Sequence, residues 1–198
     1  MKSVLILFLV FLISSTSFSQ LYLEYSEIED KDIIDALAFS GIGIYKFEID
    51  SLIEKHNFYL IIDEFAGKDK LIKSDTLMGL SPFQIPSEEV NKIRFLTKVV
   101  NNSYDEVSLY ISTPYLSTWK DIEIDRKYVR KHYWIEFEKL QHKINTKIPL
   151  LFFGSEWDEI HDGQKTTRFC SMNKMDYGLC GDAINEIPHY YIINYIIK

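Results

Sequence analysis

Apolar positions that recur with a period of two dominate this chain and predict β-strands. Between residues 43 and 50, for example, Tyr45, Phe47 and Ile49 alternate with charged side chains, as expected for a strand with one buried face. Alternation or a short apolar run also marks residues 21–25, 58–65, 70–77, 92–100, 106–112, 133–137, 148–153 and 189–198. Short strands about ten residues apart favour a mainly β fold, a single antiparallel β-sandwich of the immunoglobulin-like or a related type.

One segment near the N-terminus has the helical period instead. Ser26 and Glu29 form a capping-box pattern, in which the two side chains satisfy backbone N–H groups at the start of a helix. The apolar residues that follow at helical spacing are Ile33, Ile34, Leu37 and Ala38. Gly41 can end a helix in the left-handed conformation. We therefore expect one short N-terminal helix over residues 27–40.

The start of the chain has the three parts of a secretory signal peptide. Lys2 provides the positive start, residues 4–13 are an unbroken apolar run, and small side chains at residues 14–19 provide a cleavage region. The apolar run is too short to cross a bilayer, which takes about 20 residues. We therefore predict a signal peptide at residues 1–19 and a single β-sandwich domain at residues 20–198. The protein is then secreted or periplasmic, with no membrane span after cleavage.

The composition supports a strand-rich fold and argues against one class of partner. Phe, Trp and Tyr make up 15% of the chain, and aromatic side chains fit the half-buried surface of a sheet. The formal net charge is −7. Binding to nucleic acid depends on a basic surface that neutralises phosphates, so we expect no nucleic-acid partner. The sequence also lacks P-loop, dinucleotide-binding, nucleophile-elbow and H-E-x-x-H motifs, and we expect no cofactor.

The two cysteines, Cys170 and Cys180, lie in a long polar segment between the apolar runs at 148–153 and 189–198. Two cysteines in an exported protein usually pair. A bridge between them would close a short loop and stabilise the fold by about 2–3 kcal/mol in the chain-entropy model. We predict this disulfide, and with it a long constrained loop over residues 154–181.

The same loop carries the densest group of acidic residues, namely Glu156, Asp158, Glu159 and Asp162. Clustered carboxylates can bind a hard cation such as Ca²⁺, or act as paired acid and base in a hydrolase. Their spacing does not match an EF-hand. The alternative is a solvated acidic turn, with Trp157 packed into the core beside it. These four acidic residues are the metal-site candidates of the sequence.

A basic and aromatic segment is the main candidate for a binding surface, because Tyr, Trp and Arg are the side chains that most often anchor partners. The candidate binding residues, taken from this segment and from the acidic loop, are Arg126, Arg130, Tyr133, Trp134, Trp157 and His161. The alternative is a solvated edge strand, on which basic residues prevent aggregation.

These patterns favour an exported, non-catalytic binding protein with a protein or glycan ligand. Two alternatives stay open, a small hydrolase that uses carboxylates of residues 156–162 and an acidic immunity or inhibitor protein. The hydrolase requires two of these carboxylates to converge in a pocket with a perturbed pKa. The inhibitor requires a concentrated negative face that steers a basic partner.

Overall fold

The computed structural model describes residues 29–49, 56–67, 70–81, 91–100, 104–114, 116–138, 143–169, 174–175 and 183–198. The predicted signal peptide, the predicted strand at residues 21–25 and the predicted disulfide of Cys170 and Cys180 lie outside the described residues. The chain divides into two units, Met1–Ile34 and Asp35–Lys198. Every strand described below belongs to the second unit.

Two helices, a 3₁₀ turn and the strands make up the described elements. In chain order they are α1 (Asp30–Phe39), β1 (Ile42–Ile49), β2 (Phe58–Ala66), β3 (Leu71–Leu80), β4 (Asn91–Val99), β5 (Glu106–Ser112), β6 (Ser117–Glu123), the 3₁₀ turn Arg126–Tyr128, β7 (His132–Phe137), β8 (Ile148–Ser155), β9 (Trp157–His161), β10 (Gln164–Arg168), β11 (Lys174–Met175), α2 (Ala183–Glu186) and β12 (His189–Ile197).

The strands form two sheets and a separate hairpin. The four-stranded sheet has the order β1-β4-β5-β6, and the six-stranded sheet has the order β11-β7-β8-β12-β2-β3. All neighbours in both sheets are antiparallel except β11 and β7, which pair in parallel over two residues. The hairpin consists of β9 and β10. The prediction of a mainly β fold with packed antiparallel sheets is confirmed.

The main core lies between the two sheets and combines side chains from both. It includes Phe95 and Leu109 of the four-stranded sheet with Leu60, Leu151 and Ile193 of the six-stranded sheet. A second apolar cluster, which includes buried side chains of β7, β8, β11, α2 and β12, covers the other face of the six-stranded sheet. Strands β8 and β12 at the centre of the six-stranded sheet are therefore buried on both faces, whereas the edge strand β3 is mostly exposed.

The predicted long loop over residues 154–181 is wrong in part, because its first half forms the β9–β10 hairpin. Asp162 and Gly163 make the two-residue turn, with φ values of 50° and 77°. Asp-Gly is a strong signal for such a turn, since both residues tolerate the positive φ that the turn requires. Strand β6 and the four-residue helix α2 were not predicted either.

Helix α1 begins at Asp30 and ends at Phe39, where Gly41 follows with a φ of 73°. The predicted helix and its glycine stop are therefore confirmed over the described residues. Ile33 and Ile34, which the helical spacing placed on an apolar face, are 52% and 62% exposed. Within the described part of the chain, no helix is long and apolar enough to cross a membrane.

Candidate functional site

An exposed apolar row crosses the outer face of the four-stranded sheet. Its members, one from each strand, are Ile44, Leu96, Tyr110 and Trp119, and each lies directly opposite the next. We call these four residues the outer row. Ile44 is 46% exposed and Trp119 is 70% exposed. The rings of Tyr110 and Trp119 lie 4.7 Å apart and are tilted by 48°. The outer row therefore presents a contiguous apolar surface to solvent.

The period of the strands explains why the outer row points outward. On β5, Val107, Leu109 and Ile111 are fully buried in the main core, whereas Tyr110 between them is only half-buried. Successive side chains of a strand point to opposite faces, so the outer row lies on the face away from the core. Single exposed apolar residues are common on protein surfaces, but a contiguous set indicates an interaction site.

Three cations flank the outer row on β1 and β4. Lys46 lies directly opposite Arg94, and Lys98 lies on the other side of Leu96. None of these cations forms an ion pair with any described residue. Like charges directly opposite one another destabilise a sheet. This half of the face is therefore positive in a chain whose net charge is −7, and its two facing cations lower the stability of the sheet.

The other half of the same face is acidic. Asp121 and Glu123 are exposed on β6 beside Trp119, and Asp121 Oδ1 accepts a hydrogen bond of 2.7 Å from Ser108 Oγ. The face is thus polarised, with carboxylates on β6 and an excess of cations on β1 and β4, where the exposed Glu48 pairs with Lys92 at 3.9 Å. A ligand that lies along the outer row would meet positive charge at one end and the Trp119 ring at the other.

The binding residues predicted from the sequence lie in different surroundings. Arg126 is exposed in the 3₁₀ turn. Arg130 donates a hydrogen bond of 2.8 Å from Nη2 to Asp158 Oδ2, so its charge is already neutralised. Trp157 packs against the second apolar cluster. The side chain of His161 is 83% exposed and lies 3.6 Å from an oxygen of the Asp162 carboxylate.

The two aromatic residues of the predicted basic segment contact other rings. Tyr133 stacks on Phe169 at 4.8 Å between ring centroids. Trp134 stacks on Phe153 at 4.3 Å and packs against the main core. As ligand contacts these six residues stay predictions, and Trp134 in its present position contributes to the core.

Two of the acidic residues proposed for a metal site already have cationic partners. Asp158 Oδ2 lies 2.8 Å from Arg130 Nη2 and 3.1 Å from Lys165 Nζ. The hydrogen bonds from Arg130 and then Lys165 lower the pKa of Asp158 to about 2. Glu159, which points to the opposite face of β9, forms an ion pair of 2.9 Å with Arg168.

The remaining two acidic candidates are placed differently. Glu156 is half-buried, and its backbone N–H donates to the carbonyl of Lys131 at 2.9 Å. Asp162 is exposed in the hairpin turn. Over the described ranges, no three His, Cys, Asp or Glu side chains form a group that could hold a metal ion. The cation site and the carboxylate hydrolase stay predictions, and the carboxylates of Asp158 and Glu159 would first have to leave their ion pairs.

A buried polar cluster, which the sequence did not predict, lies at one end of the six-stranded sheet. His189, which is completely buried, donates a hydrogen bond of 2.9 Å from Nε2 to Glu64 Oε1. The hydroxyl of Tyr191 donates to the same oxygen at 3.3 Å. The ring of Tyr128, from the 3₁₀ turn, stacks on His189 with centroids 4.3 Å apart and an angle of 6° between the planes.

His132 completes what we call the histidine cluster. Its Nδ1 lies 2.8 Å from the carbonyl oxygen of Arg130, and its Nε2 lies 3.4 Å from His189 Nδ1. Ser155 is the cross-strand neighbour of His132. Its hydroxyl is buried and has no hydrogen-bond partner among the described residues. The cluster thus combines two imidazoles, the carboxylate of Glu64 and an unsatisfied hydroxyl.

Burial determines the charge state of the two histidines. It lowers the pKa of His132 to about 4, and it also lowers the pKa of His189, although the hydrogen bond to Glu64 acts in the opposite direction. Burial and the nearby Glu64 carboxylate raise the pKa of the Tyr191 hydroxyl. At neutral pH both imidazoles are therefore neutral, and each has one N–H group and one lone pair.

The sequence contained only weak signals for the outer row and the histidine cluster. Trp119 lies in a segment whose alternation of apolar and polar residues is poor, so β6 and the outer row were missed. His132 and His189 are 57 positions apart in the chain, and β7 and β12 are brought together only through β8. The one signal for His189 was its position at the start of a strongly apolar strand.

A family model described as a domain of unknown function, DUF5041, matches residues 12–198. No curated protein and no solved structure matches the chain.

Proposed function

We propose that this chain, which belongs to the DUF5041 family of domains of unknown function, is an exported, non-catalytic protein that binds an anionic polysaccharide on the outer face of its four-stranded sheet. The observation that carries the proposal is the outer row, with Lys46, Arg94 and Lys98 beside it. The ligand and the export are both part of the proposal. Export rests on the signal-peptide pattern of the first nineteen residues.

The exposed aromatic end of the outer row supports a role in binding. Trp119 is 70% exposed, although burying a large aromatic side chain would stabilise the fold by about 1.5–3 kcal/mol. Trp and Tyr are favoured as binding anchors because they offer a large apolar area and a polar group with few rotatable bonds. The Tyr110 and Trp119 pair is therefore suited to contact the apolar face of a sugar ring.

The charges beside the outer row support an anionic ligand. Lys46 and Arg94 face each other across β1 and β4, and no described carboxylate pairs with either of them. An anionic group placed between them would relieve their repulsion and form charge-assisted hydrogen bonds. The carboxylates on β6 would repel the same group, so the ligand would be bound in one direction along the row.

The shape of the face supports an extended chain rather than a compact ligand. Four neighbouring strands are separated by three spacings of about 4.8 Å, so the outer row is about 14 Å long and one side chain wide. A polysaccharide of uronic acid units can place sugar faces on the aromatic end and carboxylates at the basic end. A segment of acidic protein is the other occupant that this face could take.

The proposal can be tested by calorimetry with polygalacturonate, with neutral dextran as a control ligand. The secreted form of the protein should bind polygalacturonate and not dextran. Trp119→Ala should weaken binding by about tenfold or more, equivalent to about 1.4 kcal/mol. Lys98→Ser should weaken binding and make it less sensitive to salt, because one fewer ion pair is screened.

Matched variants elsewhere on the surface provide the controls. Ile160→Ala removes another exposed apolar side chain, and Lys143→Ser removes another exposed cation, both outside the four-stranded sheet. Neither change should affect binding. Equal loss of affinity in the control variants, or full affinity in Trp119→Ala, would show that the outer row is not the site. Binding to polyglutamate instead of polygalacturonate would identify an acidic protein as the ligand.

A further inference from the structure

The hydrogen bonds of the histidine cluster fix the tautomers of both imidazoles. A backbone carbonyl can only accept, so the 2.8 Å contact between Arg130 O and His132 Nδ1 requires the proton of His132 to be on Nδ1. The Glu64 carboxylate likewise accepts from His189 at 2.9 Å, which places the proton of His189 on Nε2. In the neutral imidazoles, the other two nitrogens carry lone pairs.

These two lone pairs face each other inside the protein. His132 Nε2 and His189 Nδ1 are 3.4 Å apart, and the residues are 7% and 0% exposed. Two acceptors without a proton between them do not form a hydrogen bond, and buried acceptors without a partner lower the stability of the fold. A positive species between the two nitrogens, either an additional proton or a metal ion, would satisfy both acceptors.

The geometry points to a binding site for a single Zn²⁺-like ion between His132 Nε2 and His189 Nδ1. With Zn–N bonds of 2.0–2.1 Å, nitrogens 3.4 Å apart subtend an angle of about 110° at the metal, which is the tetrahedral value. A linear two-coordinate ion would require the nitrogens to be about 4 Å apart, which is twice the bond length. Ca²⁺ and Mg²⁺ prefer oxygen ligands, so two imidazole nitrogens select against them.

The groups behind the two histidines are those that support metal ligands in proteins. A histidine that binds a metal generally donates its other N–H group to a carboxylate or a backbone carbonyl, which fixes the tautomer and the orientation of the ring. His189 donates to the Glu64 carboxylate and His132 to the Arg130 carbonyl. Both arrangements are therefore present without any rearrangement of the side chains.

A further observation, on the strand beside His132, supports a ligand. The Ser155 hydroxyl is buried without a hydrogen-bond partner among the described residues, and Ser155 lies opposite His132 on the neighbouring strand. Buried hydroxyls are normally satisfied, so an exception calls for an explanation. A metal-bound water would supply the missing partner. The chain provides two nitrogen ligands, and water would occupy the other positions of the ion.

The experiment is a titration of the folded, secreted form of the chain with Zn²⁺ by calorimetry, and with Co²⁺ as a probe of tetrahedral geometry by visible absorption. We expect a single ion per chain.

Two variants remove a ligand nitrogen and keep the supporting hydrogen bond. His132→Asn retains a donor at the δ position toward Arg130, and His189→Gln retains a donor at the ε position toward Glu64. Each variant should weaken Zn²⁺ binding by more than the roughly 10–100-fold that loss of a supporting residue costs. Glu64→Gln should fall within that 10–100-fold range. His161→Gln, which removes an exposed histidine, is the matched control and should bind as the unaltered protein does.

Two results would overturn the site. The first is absence of stoichiometric binding by the unaltered protein. The second is equal loss of binding in His161→Gln. Nitrogen NMR of the imidazoles, with and without Zn²⁺, does not depend on the variants and shows whether these two nitrogens bind the ion.

Discussion

Asp63 is a carboxylate that is almost completely buried and has a complete set of partners. It is 4% exposed. Its oxygens accept hydrogen bonds from Lys147 Nζ at 2.8 and 2.9 Å, from Asn194 Nδ2 at 2.9 Å and from Ser74 Oγ. The side chain of Lys147 is partly exposed to solvent. Because buried charges are stable only when paired and hydrogen-bonded, this single residue depends on contacts from three other segments of the chain.

We expect Asp63→Asn to lower the free energy of unfolding by about 2 kcal/mol, since hydrogen bonds to a charged group contribute about 1.5–3 kcal/mol. The amide would also direct N–H groups at the donors of its neighbours. Urea unfolding followed by circular dichroism provides the measurement. Asp162→Asn, at an exposed turn position, is the control and should change stability by less than about 0.5 kcal/mol. A loss that small for Asp63→Asn would contradict the interpretation.

At the scale of elements, the packing of β8 between β7 and β12 depends on a glycine, Gly154. Gly154 lies directly opposite both Tyr133 of β7 and Tyr190 of β12. A Cβ atom at this position would overlap the ring of Phe152, which lies two residues earlier on the same face. Phe152 is 1% exposed and stacks on Tyr190 at 5.5 Å, so its ring has little room to move.

Gly154→Ala should therefore lower the free energy of unfolding by about 1–3 kcal/mol, the usual cost of overpacking a core. Denaturant unfolding measures this loss. The control is Gly163→Asn in the β9–β10 turn, where a Cβ atom would meet nothing within 4 Å. Asn tolerates the positive φ of that turn, so stability should hardly change. An equal effect of the two substitutions would argue against steric overlap as the cause.

At the scale of the whole molecule, the two sheets share a core that contains tyrosine hydroxyls. Tyr45 comes from the four-stranded sheet and Tyr195 from the six-stranded sheet, and both contribute to the main core. Burial raises the pKa of each hydroxyl to about 12 from an ordinary value of about 10, with a further contribution to Tyr45 from Glu136. Ionisation of either residue is therefore linked to separation of the sheets.

This linkage predicts unfolding in alkali. The folded-state pKa is raised, so the contribution of these tyrosines to stability is fully present below about pH 10 and is lost as the pH rises toward 12. Tyrosinate absorbance and circular dichroism should change together in this range. Tyr45→Phe and Tyr195→Phe should each reduce the slope of stability against pH. Tyr133→Phe, in a position outside the main core, is the control. Ionisation of all tyrosines without loss of the fold would contradict the prediction.

The local patterns of the sequence were sufficient to predict most of the strands and α1. Residues 58–62 are wholly apolar and residues 106–112 alternate, and the strands in the structure agree with the predicted segments within a few residues. Gly41 and the acidic start of α1 likewise act within one turn of the helix. These features depend on neighbours in the chain, so the sequence alone determined them, together with the antiparallel β class.

The tertiary structure, and not the local sequence, determines which apolar cluster each face of a strand packs against. In β7 the alternation over residues 133–137 puts Tyr133, Ile135 and Phe137 on one face, and Ile135 and Phe137 are buried in the second apolar cluster. His132 and Trp134 point to the opposite face, toward the main core and the histidine cluster. Because β7 packs against one apolar cluster on each of its faces, a period of two cannot tell which face meets which partner.

The outer row and the histidine cluster likewise depend on the tertiary structure. The outer row takes one residue from each of four strands, and its register exists only once those strands have paired. The histidine cluster joins residues that are up to 127 positions apart. The sequence determined which segments are extended and which residues are apolar, since these are properties of short stretches. Which side chains meet was decided by strand order and sheet packing, because contacts between distant segments leave no periodic signal in a single chain.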